Sequence, residues 1–598
     1  MKYWRVKLLY REICKYYNQL ESTTKRLEMT DILAKLLSRL AQTTDAETMG
    51  WVVYLTQGKL YPDWTGKPEI GIAEKMAINA IAIALGINTS QVTAKVNSYG
   101  DIGIACEQLL TLKRQTALFQ TPLTIQEVYE SLVKIASAQG SGSADFKIRT
   151  LAGLINASTP IEARYLLRTV TSSLRLGIAE MTVIDALAVS FAGGKEHRAS
   201  IERGYNITSD LGYIAGIVAF DGLESVENVS VTLGKPIRMM AAQKLSTAEE
   251  IVVKLGGNLA SEWKLDGERM QIHKDHDNIT IFSRRLEQIT EMYPDIVRLS
   301  KLQLNAKRCI VEGEAVAVDK EDPQKLLPFQ VLMRRRRKYK IDEMVQQIPV
   351  AIYFFDCLFV NENDLTQQPY PIRRKQLEQI VNRSEYYRLV PAQKHSTGSD
   401  IETMFRESIE HGGEGLIVKS TSAESIYRAG ARSWLWVKLK ESYQAQAIGP
   451  VDLVVVGAFW GRGRRAKTYG ALLAAVRDEE SGEFKTVCKV GTGFSDEELE
   501  QLPERLKPHL LTHKDVLVDS KMKADLWFKP ALILQVVGDE ITRSPIHTCA
   551  FDQITPNEGL AIRFPRFDGN WRYDKSPEEA TTTREIIDAY EAQIKVTK

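Results

Sequence analysis

Cysteine is scarce and unpatterned in this chain. Cys14, Cys106, Cys309, Cys357, Cys488 and Cys549 contain no C-x-x-C pair, so neither a zinc ribbon nor a disulfide framework is indicated. Reduced thiols inside a cell are the simplest reading, and a cytoplasmic protein is expected. No apolar run approaches the roughly 18 residues that span a bilayer. The first residues, MKYWRVKLLYREICKYY, are charged throughout and hold no signal-peptide core. Net charge is also nearly absent, because 78 Lys and Arg offset 76 Asp and Glu to leave +2. Total charge therefore neither supports nor excludes a nucleic-acid partner; only its distribution can. Internal repeats and low-complexity tracts are missing. With 44% hydrophobic and 26% charged residues, a disordered chain, a collagen-like chain and a coiled-coil rod are excluded. At roughly 150 residues per domain the length predicts about three or four domains.

The first third reads as helical. Thr124-x-x-Glu127 has the form of a capping box. Ile125, Val128, Tyr129, Leu132 and Ala136 then share one face at helical spacing. A loop of small residues is expected over Ser137 to Asp145, followed by helices in IRTLAGLINA, PIEARYLLRTVTSSLR and TVIDALAVSFAG. The texture changes near Gly234-Lys-Pro236, after which strand-like segments alternate with helices in a mixed α+β pattern. It changes again near 445–450, where about five short strands with glycine punctuation suggest a small β-barrel. The run Arg334 to Lys338 reads either as a solvated basic loop or as a phosphate contact.

The most informative segment is Glu262-Trp-Lys264-Leu-Asp266-Gly267-Glu268-Arg269. Alone, Lys-x-Asp-Gly is a surface lysine before a tight turn. Its meaning comes from six further motifs, placed after it along the chain in this order: Ser283-Arg284-Arg285, Glu312-Gly313-Glu314 inside IVEGEAVAV, Phe354-Phe355-Asp356, Glu414-Gly-Leu-Ile-Val-Lys419, Trp434-Leu-Trp-Val-Lys438-Leu-Lys440, and RFPRFDGNWRYDK over 563–575.

This ordered set resembles the nucleotidyltransferase motifs of ATP-dependent DNA ligases, most of all the replicative ligases of archaea, over nearly the whole chain. The resemblance implies an all-α N-terminal DNA-binding domain (1–228), an α+β nucleotidyltransferase (adenylation) domain (229–442) and a C-terminal β-barrel OB-fold (443–598). It implies sealing of a 3′-hydroxyl to a 5′-phosphate at nicks in duplex DNA, in replication, repair and recombination. AMP from ATP passes first to a lysine and then to the 5′-phosphate. Lys264 is the implied nucleophile. Since a free lysine has a pKa of about 10.4, the amine is expected to be neutralised by nearby cations, metal included, or by partial burial.

Glu262 resembles the acceptor that reads the adenine amino group, and Phe355 the ring that stacks on the base. Phe354 is its alternative, since strand alternation sends the two to opposite faces. Arg269, Arg284 and Arg432 are implied contacts to ribose, phosphate or the nick. Lys438 and Lys440 share a strand face and point at the α-phosphate. Glu314 and Glu414 resemble the carboxylates that place Mg²⁺, with Mn²⁺ as an alternative. On the C-terminal domain, Arg563, Arg566, Arg572 and Lys575 are implied partners of the β- and γ-phosphates, reached by a domain swing.

A nick offers backbone and shape rather than sequence. Lys147, Arg149, Arg164, Arg168 and Arg175 of the helical third are the candidate contacts to it, with a helical scaffold carrying scattered solvated arginines as the alternative. Gln115-Thr-Ala-Leu118-Phe119 is similar to short peptides that bind a sliding clamp, although Leu-Phe replaces the usual double aromatic; a core-facing loop is the alternative. A monomer is the expected state, and no membrane partner. Two rival readings are an RNA ligase or mRNA-capping guanylyltransferase, and a non-catalytic DNA-binding clamp with a degenerate nucleotide site. The long helical third and the RFPRF segment oppose the first, and the intact set Lys264, Glu314, Glu414 and Lys438 the second.

Overall fold

The computed structural model describes residues 8–596 except 24, 113–120, 175, 177, 336–340, 441–447 and 462–467. The Gln115–Phe119 peptide and Arg175 thus lie outside the described residues.

Helices fill the chain from Tyr10–Glu21 to Leu223–Glu227 and share one apolar core. The capping box forms as its spacing predicts. Thr124 Oγ1 accepts the Glu127 N–H at 3.2 Å, and the Glu127 carboxylate accepts the Thr124 N–H at 2.9 Å. The helix Ile125–Ser137 buries Ile125, Val128, Leu132, Ile135 and Ala136. The loop after it is shorter than expected, because the next helix already starts at Ser143 behind a left-handed Gly142. The helix starting at Pro160 stops at Val170 instead of running on to Arg175; Ser172 turns the chain at φ 54°.

Two arginines expected at the DNA surface are internal struts instead. Arg168 is 6% exposed and pairs with Asp101 and Glu21, each at 2.9 Å. Arg164 pairs with Glu21 at 2.7 Å and Glu107 at 3.3 Å. Buried guanidiniums need counter-charge, and these three carboxylates tie the helices Tyr10–Glu21, Ile102–Leu112 and Pro160–Val170 together. Arg149 is exposed and paired within its own helix to Asp145.

The middle of the chain builds two sheets. Their strands are β1 (Ala241–Lys244), β2 (Leu259–Lys264), β3 (Glu268–Asp275), β4 (Asn278–Ser283), β5 (Arg308–Ala317), β6 (Val350–Val360), β7 (Asn363–Asp364), β8 (Tyr387–Leu389), β9 (Ala392–His395), β10 (Gly415–Ser420) and β11 (Arg432–Lys440). One sheet has the order β1-β11-β10-β2-β9, the other β4-β3-β5-β6-β7 with β8 beside β6. The chain crosses from the first sheet to the second through Leu265-Asp266-Gly267. Glycine is required there by close approach: a Cβ on Gly267 would lie 2.3 Å from the Ala315 carbonyl oxygen.

Each sheet buries its back. Leu259, Leu416, Val418, Val437 and Leu439 pack on the helices Ala248–Leu255 and Gly398–Glu410. Met270, Ile272, Val311, Ala315, Ile352 and Phe354 pack with Ile296, Leu377 and Ile380. Period-2 alternation therefore sends Glu262, Lys264, Lys438 and Lys440 of the first sheet and Arg269 and Glu314 of the second to the opposite faces, beside smaller apolar clusters that include Val316, Ala351 and Trp436. The helix Tyr370–Ile380 is fixed to β6 by Arg373 and Asp356, both fully buried and paired at 2.8 Å.

Of the basic run, Arg336 to Lys338 lie outside the described residues, and Arg335 is no phosphate contact. Arg335 is 1% exposed, donates to Asp295 at 2.8 and 3.0 Å and to the Ile348 carbonyl at 2.9 Å, and lies over the Tyr293 ring. Arg334 is exposed.

The C-terminal unit is a sheet domain with more strands than the five expected. Its eight-stranded sheet centres on Ile448–Trp460, which pairs with Tyr469–Arg477, Leu526–Phe528 and Ile533–Gly538. Glu540–Ser544 and Gly559–Arg563 form a separate pair. The extra strands include pieces of two or three residues, too short to show alternation in sequence. No single described helix is long and apolar enough to cross a membrane.

Arg335→Ala is expected to destabilise the protein by about 3–5 kcal/mol, because Asp295 keeps its charge without a partner. Denaturant titration of the full chain reads this. The salt dependence of binding to nicked duplex should stay unchanged; a slope reduced by about one phosphate would return Arg335 to the DNA surface.

Candidate active site

Strand register assembles the site. In the first sheet Gly415 is opposite Lys264 on one side and Lys440 on the other. Ile417 is likewise opposite Glu262 and Lys438, and Lys419 opposite Ala260 and Trp436. These three rows lie two residues apart, so their side chains share the face not taken by the apolar core. Glu414 precedes Gly415 and donates its N–H to the Lys264 carbonyl at 2.7 Å. Its carboxylate forms a short ion pair with the Lys264 ammonium and a second with Lys440 at 2.9 Å.

The second sheet supplies the other wall. Arg269 of β3 is opposite Glu314 of β5. Register slips between β5 and β6 so that Glu312 faces Asp356 and Gly313 faces Phe354, leaving Phe355 without a partner residue. This bulge turns Phe355 into the space between the sheets, while Phe354 is buried against Tyr387 at 4.6 Å. The open cavity there is about 630 Å³ and is lined among others by Glu262, Lys264, Arg269, Arg284, Glu314 and Phe355, with Arg432, Lys438 and Lys440.

Its charges are organised. Glu262, 2% exposed, accepts from Tyr370 Oη at 2.5 Å and Arg374 at 3.2 Å, and pairs with Lys419 at 2.7 Å. Of the roughly four acceptor positions of a carboxylate, three are thereby taken. Burial lowers the Lys419 pKa against the pull of Glu262. The Lys419 ammonium lies 4.4 Å from the Trp436 ring centre and 5.1 Å from that of Phe355. Arg269 donates to the Met240 carbonyl at 2.7 Å and to Glu312 at 2.8 Å. Its Nε finds no acceptor among the described residues. Burial, then Lys440, Arg432, Lys264 and Arg284, lower the Lys438 pKa. Burial pushes the Glu314 carboxyl up to about 7 despite Lys264 and Arg269, and the nearby Glu414 charge adds to the rise. Among the described residues no hydrogen bond or ion pair reaches the Glu314 carboxylate. Two carboxylates near enough to repel each other, one of them unpartnered, form an oxygen donor set that fits a hard divalent cation.

The pocket combines an aromatic slot, a buried acceptor, a lysine held at a strand end and a cluster of cations. That chemistry suits a purine nucleotide. Comparison with known proteins agrees. Residues 9–188 match the family described as DNA ligase N terminus, residues 239–440 the ATP dependent DNA ligase domain, and residues 465–575 the ATP dependent DNA ligase C terminal region. The DNA ligase of Hyperthermus butylicus is 45% identical over 97% of this chain and 96% of its own length. DNA ligase 2 of Thermofilum pendens is 47% identical over 98% of both. The chain belongs to the ATP-dependent DNA ligases. Its fold is shared with the solved structure Pmar-Lig_PreS3, at 16% identity and a TM-score of 0.52 over 94% of this chain and 99% of that one.

The ligase brings together every nucleotide and metal candidate of its middle domain: Glu262, Lys264, Arg269, Arg284, Glu314, Phe355, Arg432, Lys438 and Lys440 line the cavity, and Glu414 holds Lys264. It does not bring in the C-terminal set. Arg563 pairs with Glu540 at 3.4 Å, Arg566 with Asp539 at 3.6 Å and Lys575 with Asp452 at 2.6 Å, all within their own domain. Sequence reasoning passed over Lys419 and Trp436. Both were legible, since Lys419 follows Ile417 and Trp436 precedes Lys438 by one period of the strand. Tyr370 and Arg374 carried no signal, because they reach Glu262 from a helix over a hundred residues on.

Phe355→Ala should raise the KM for ATP in enzyme adenylylation about tenfold, as stacking on a base is worth about 1–3 kcal/mol. Phe354→Ala should instead lower stability by about 3–5 kcal/mol. Steady-state adenylylation and thermal unfolding of the two variants separate the roles; the reverse pattern would exchange them.

Proposed function

We propose that this ligase seals nicks by carrying AMP on Lys264, within domains spanning 1–228, 229–442 and 443–598. The observation that supports this most is the row Lys264–Gly415–Lys440, in which two lysines lining a nucleotide-sized cavity share one oxygen of the Glu414 carboxylate.

Adenine stacks on Phe355, and its amino group takes the acceptor position left on Glu262. Arg269 offers its unpartnered Nε toward the ribose. Arg284, Arg432, Lys438 and Lys440 neutralise the phosphates. The nitrogen lone pair of Lys264 attacks the α-phosphorus; a P–N bond forms, the bond from that phosphorus to the bridging oxygen breaks, and pyrophosphate leaves. The amine must first shed a proton. The expected cations are present in Lys438 and Lys440, and the Glu414 carboxylate is in contact with the amine as well. Parting Lys264 from Glu414 is therefore a condition of attack, and Glu414 is the acceptor in contact with that proton. In the second step a 5′-phosphate oxygen of the nick attacks the lysyl-bound phosphorus, the P–N bond breaks and Lys264 regains a proton. In the third the 3′-oxygen attacks the 5′-phosphorus and AMP departs.

Glu314 and Glu414 would hold Mg²⁺, with Mn²⁺ as the alternative. The ion would offset charge on the transferring phosphoryl group. Arg563, Arg566, Arg572 and Lys575 meet the β- and γ-phosphates after the C-terminal domain closes. A sliding clamp engaged through Gln115–Phe119, a monomeric enzyme and action at the chromosome inside the cell complete the reading.

Lys264→Ala should abolish ATP-dependent sealing of a nicked duplex while leaving binding to that duplex within about twofold, since the lysine is one of many contacts. Chelation of divalent cations should stop sealing by the unaltered enzyme, with recovery on adding Mg²⁺. Sealing by Lys264→Ala at the unaltered rate would refute the proposal.

A further inference from the structure

The C-terminal motif cations are not free in this structure. Lys575 Nζ and Arg572 Nη1 both reach one oxygen of Asp452, Oδ2, at 2.6 and 2.9 Å. Asp452 is buried, and its other oxygen accepts from Gln535 Nε2 at 3.1 Å. Its backbone is fixed as well, taking the Thr581 N–H at 2.9 Å and donating to Thr581 Oγ1 at 3.0 Å. Sheet register explains the position. Asp452 is opposite Gln535, and the neighbouring Leu534 is opposite Trp571, so the chain enters Arg572 beside the carboxylate. Arg572 spends its remaining edge on the exposed Asp574, at 2.8 and 2.9 Å.

Two cations on one oxygen repel each other and stay together only while a negative charge lies between them. A triphosphate supplies such a charge when bound; before binding, only the protein can. Asp452 cannot leave, because both its side chain and its backbone are tied to the sheet. Asp574 can, because its side chain is 65% exposed in the turn of its own motif. We infer that Asp452 is a positioning residue for enzyme adenylylation: it holds Arg572 and Lys575 side by side, pre-organised for adjacent phosphate oxygens of ATP. Exposed Asp574 is the partner that ATP displaces. This rests on the reading that these cations meet the β- and γ-phosphates. Asp452 has no part in the later steps, in which no triphosphate remains.

The test uses the full-length enzyme and measures two reactions separately: adenylylation with labelled ATP, and sealing of a nick that already carries 5′-AMP. Asp452→Asn keeps the shape and removes the charge. It should cut kcat/KM for adenylylation about tenfold while sealing of the pre-adenylated nick stays within about twofold. Asp452→Glu should recover part of that loss. In a background of Arg572→Ala with Lys575→Ala, Asp452→Asn should add no further loss, because it acts through those residues. Equal losses in both reactions would overturn the inference and leave Asp452 a structural residue. So would unaltered adenylylation by both Asp452→Asn and Asp452→Glu while Arg572→Ala with Lys575→Ala is impaired, and in that case the reading of the cations would stand. Unaltered adenylylation in the Arg572→Ala, Lys575→Ala enzyme would overturn both.

Discussion

Hydrogen-bond register across β2, β10 and β11 is the constraint on which the site depends. A slip of one residue would send every side chain of a strand to the opposite face. Lys264, Glu262 and Lys440 would then enter the apolar layer formed by Leu259, Leu416 and Leu439. The buried helical back of the sheet fixes that register, so the energy that folds the domain also positions its chemistry. Gly267 completes the arrangement by letting the chain pass against β5, and this brings Arg269 and Glu314 to the opposite wall.

Charge in the cavity is arranged for a ligand more anionic than the protein itself. Lys264, Arg284, Arg432, Lys438 and Lys440 surround one end, and burial with mutual repulsion lowers the Lys438 pKa. A polyphosphate relieves that repulsion, so binding and neutralisation are one event. At the other end, Lys419 and Arg269 lie against Phe355 and Trp436, while Glu262 and Glu312 cancel their charges. The two ends of the cavity thus offer different environments a few strand residues apart.

Much of this was legible in the sequence because strands print their geometry with period 2. Lys438 and Lys440 could be placed on one face from spacing alone, and the order of the motifs gave the enzyme class. Phe354 and Phe355 could be separated in face from spacing, but only the resemblance favoured Phe355, because the bulge that aims Phe355 is a property of pairing rather than of the strand. Arg164, Arg168 and Arg335 misled for one reason. An arginine in sequence shows its charge but not the Glu21, Asp101 or Asp295 that buries it. The pairing of Lys264 with Glu414 was equally invisible across 150 residues, and it adds a carboxylate to the cations expected around the amine.

The most direct measurement is peptide mapping by mass spectrometry of the enzyme after exposure to ATP and Mg²⁺ without DNA. The account predicts one added AMP, acid-labile as a phosphoramidate should be, on the peptide containing Lys264, and its disappearance on adding nicked duplex. An AMP adduct on another residue, or sealing activity in enzyme that never acquires the adduct, would contradict it.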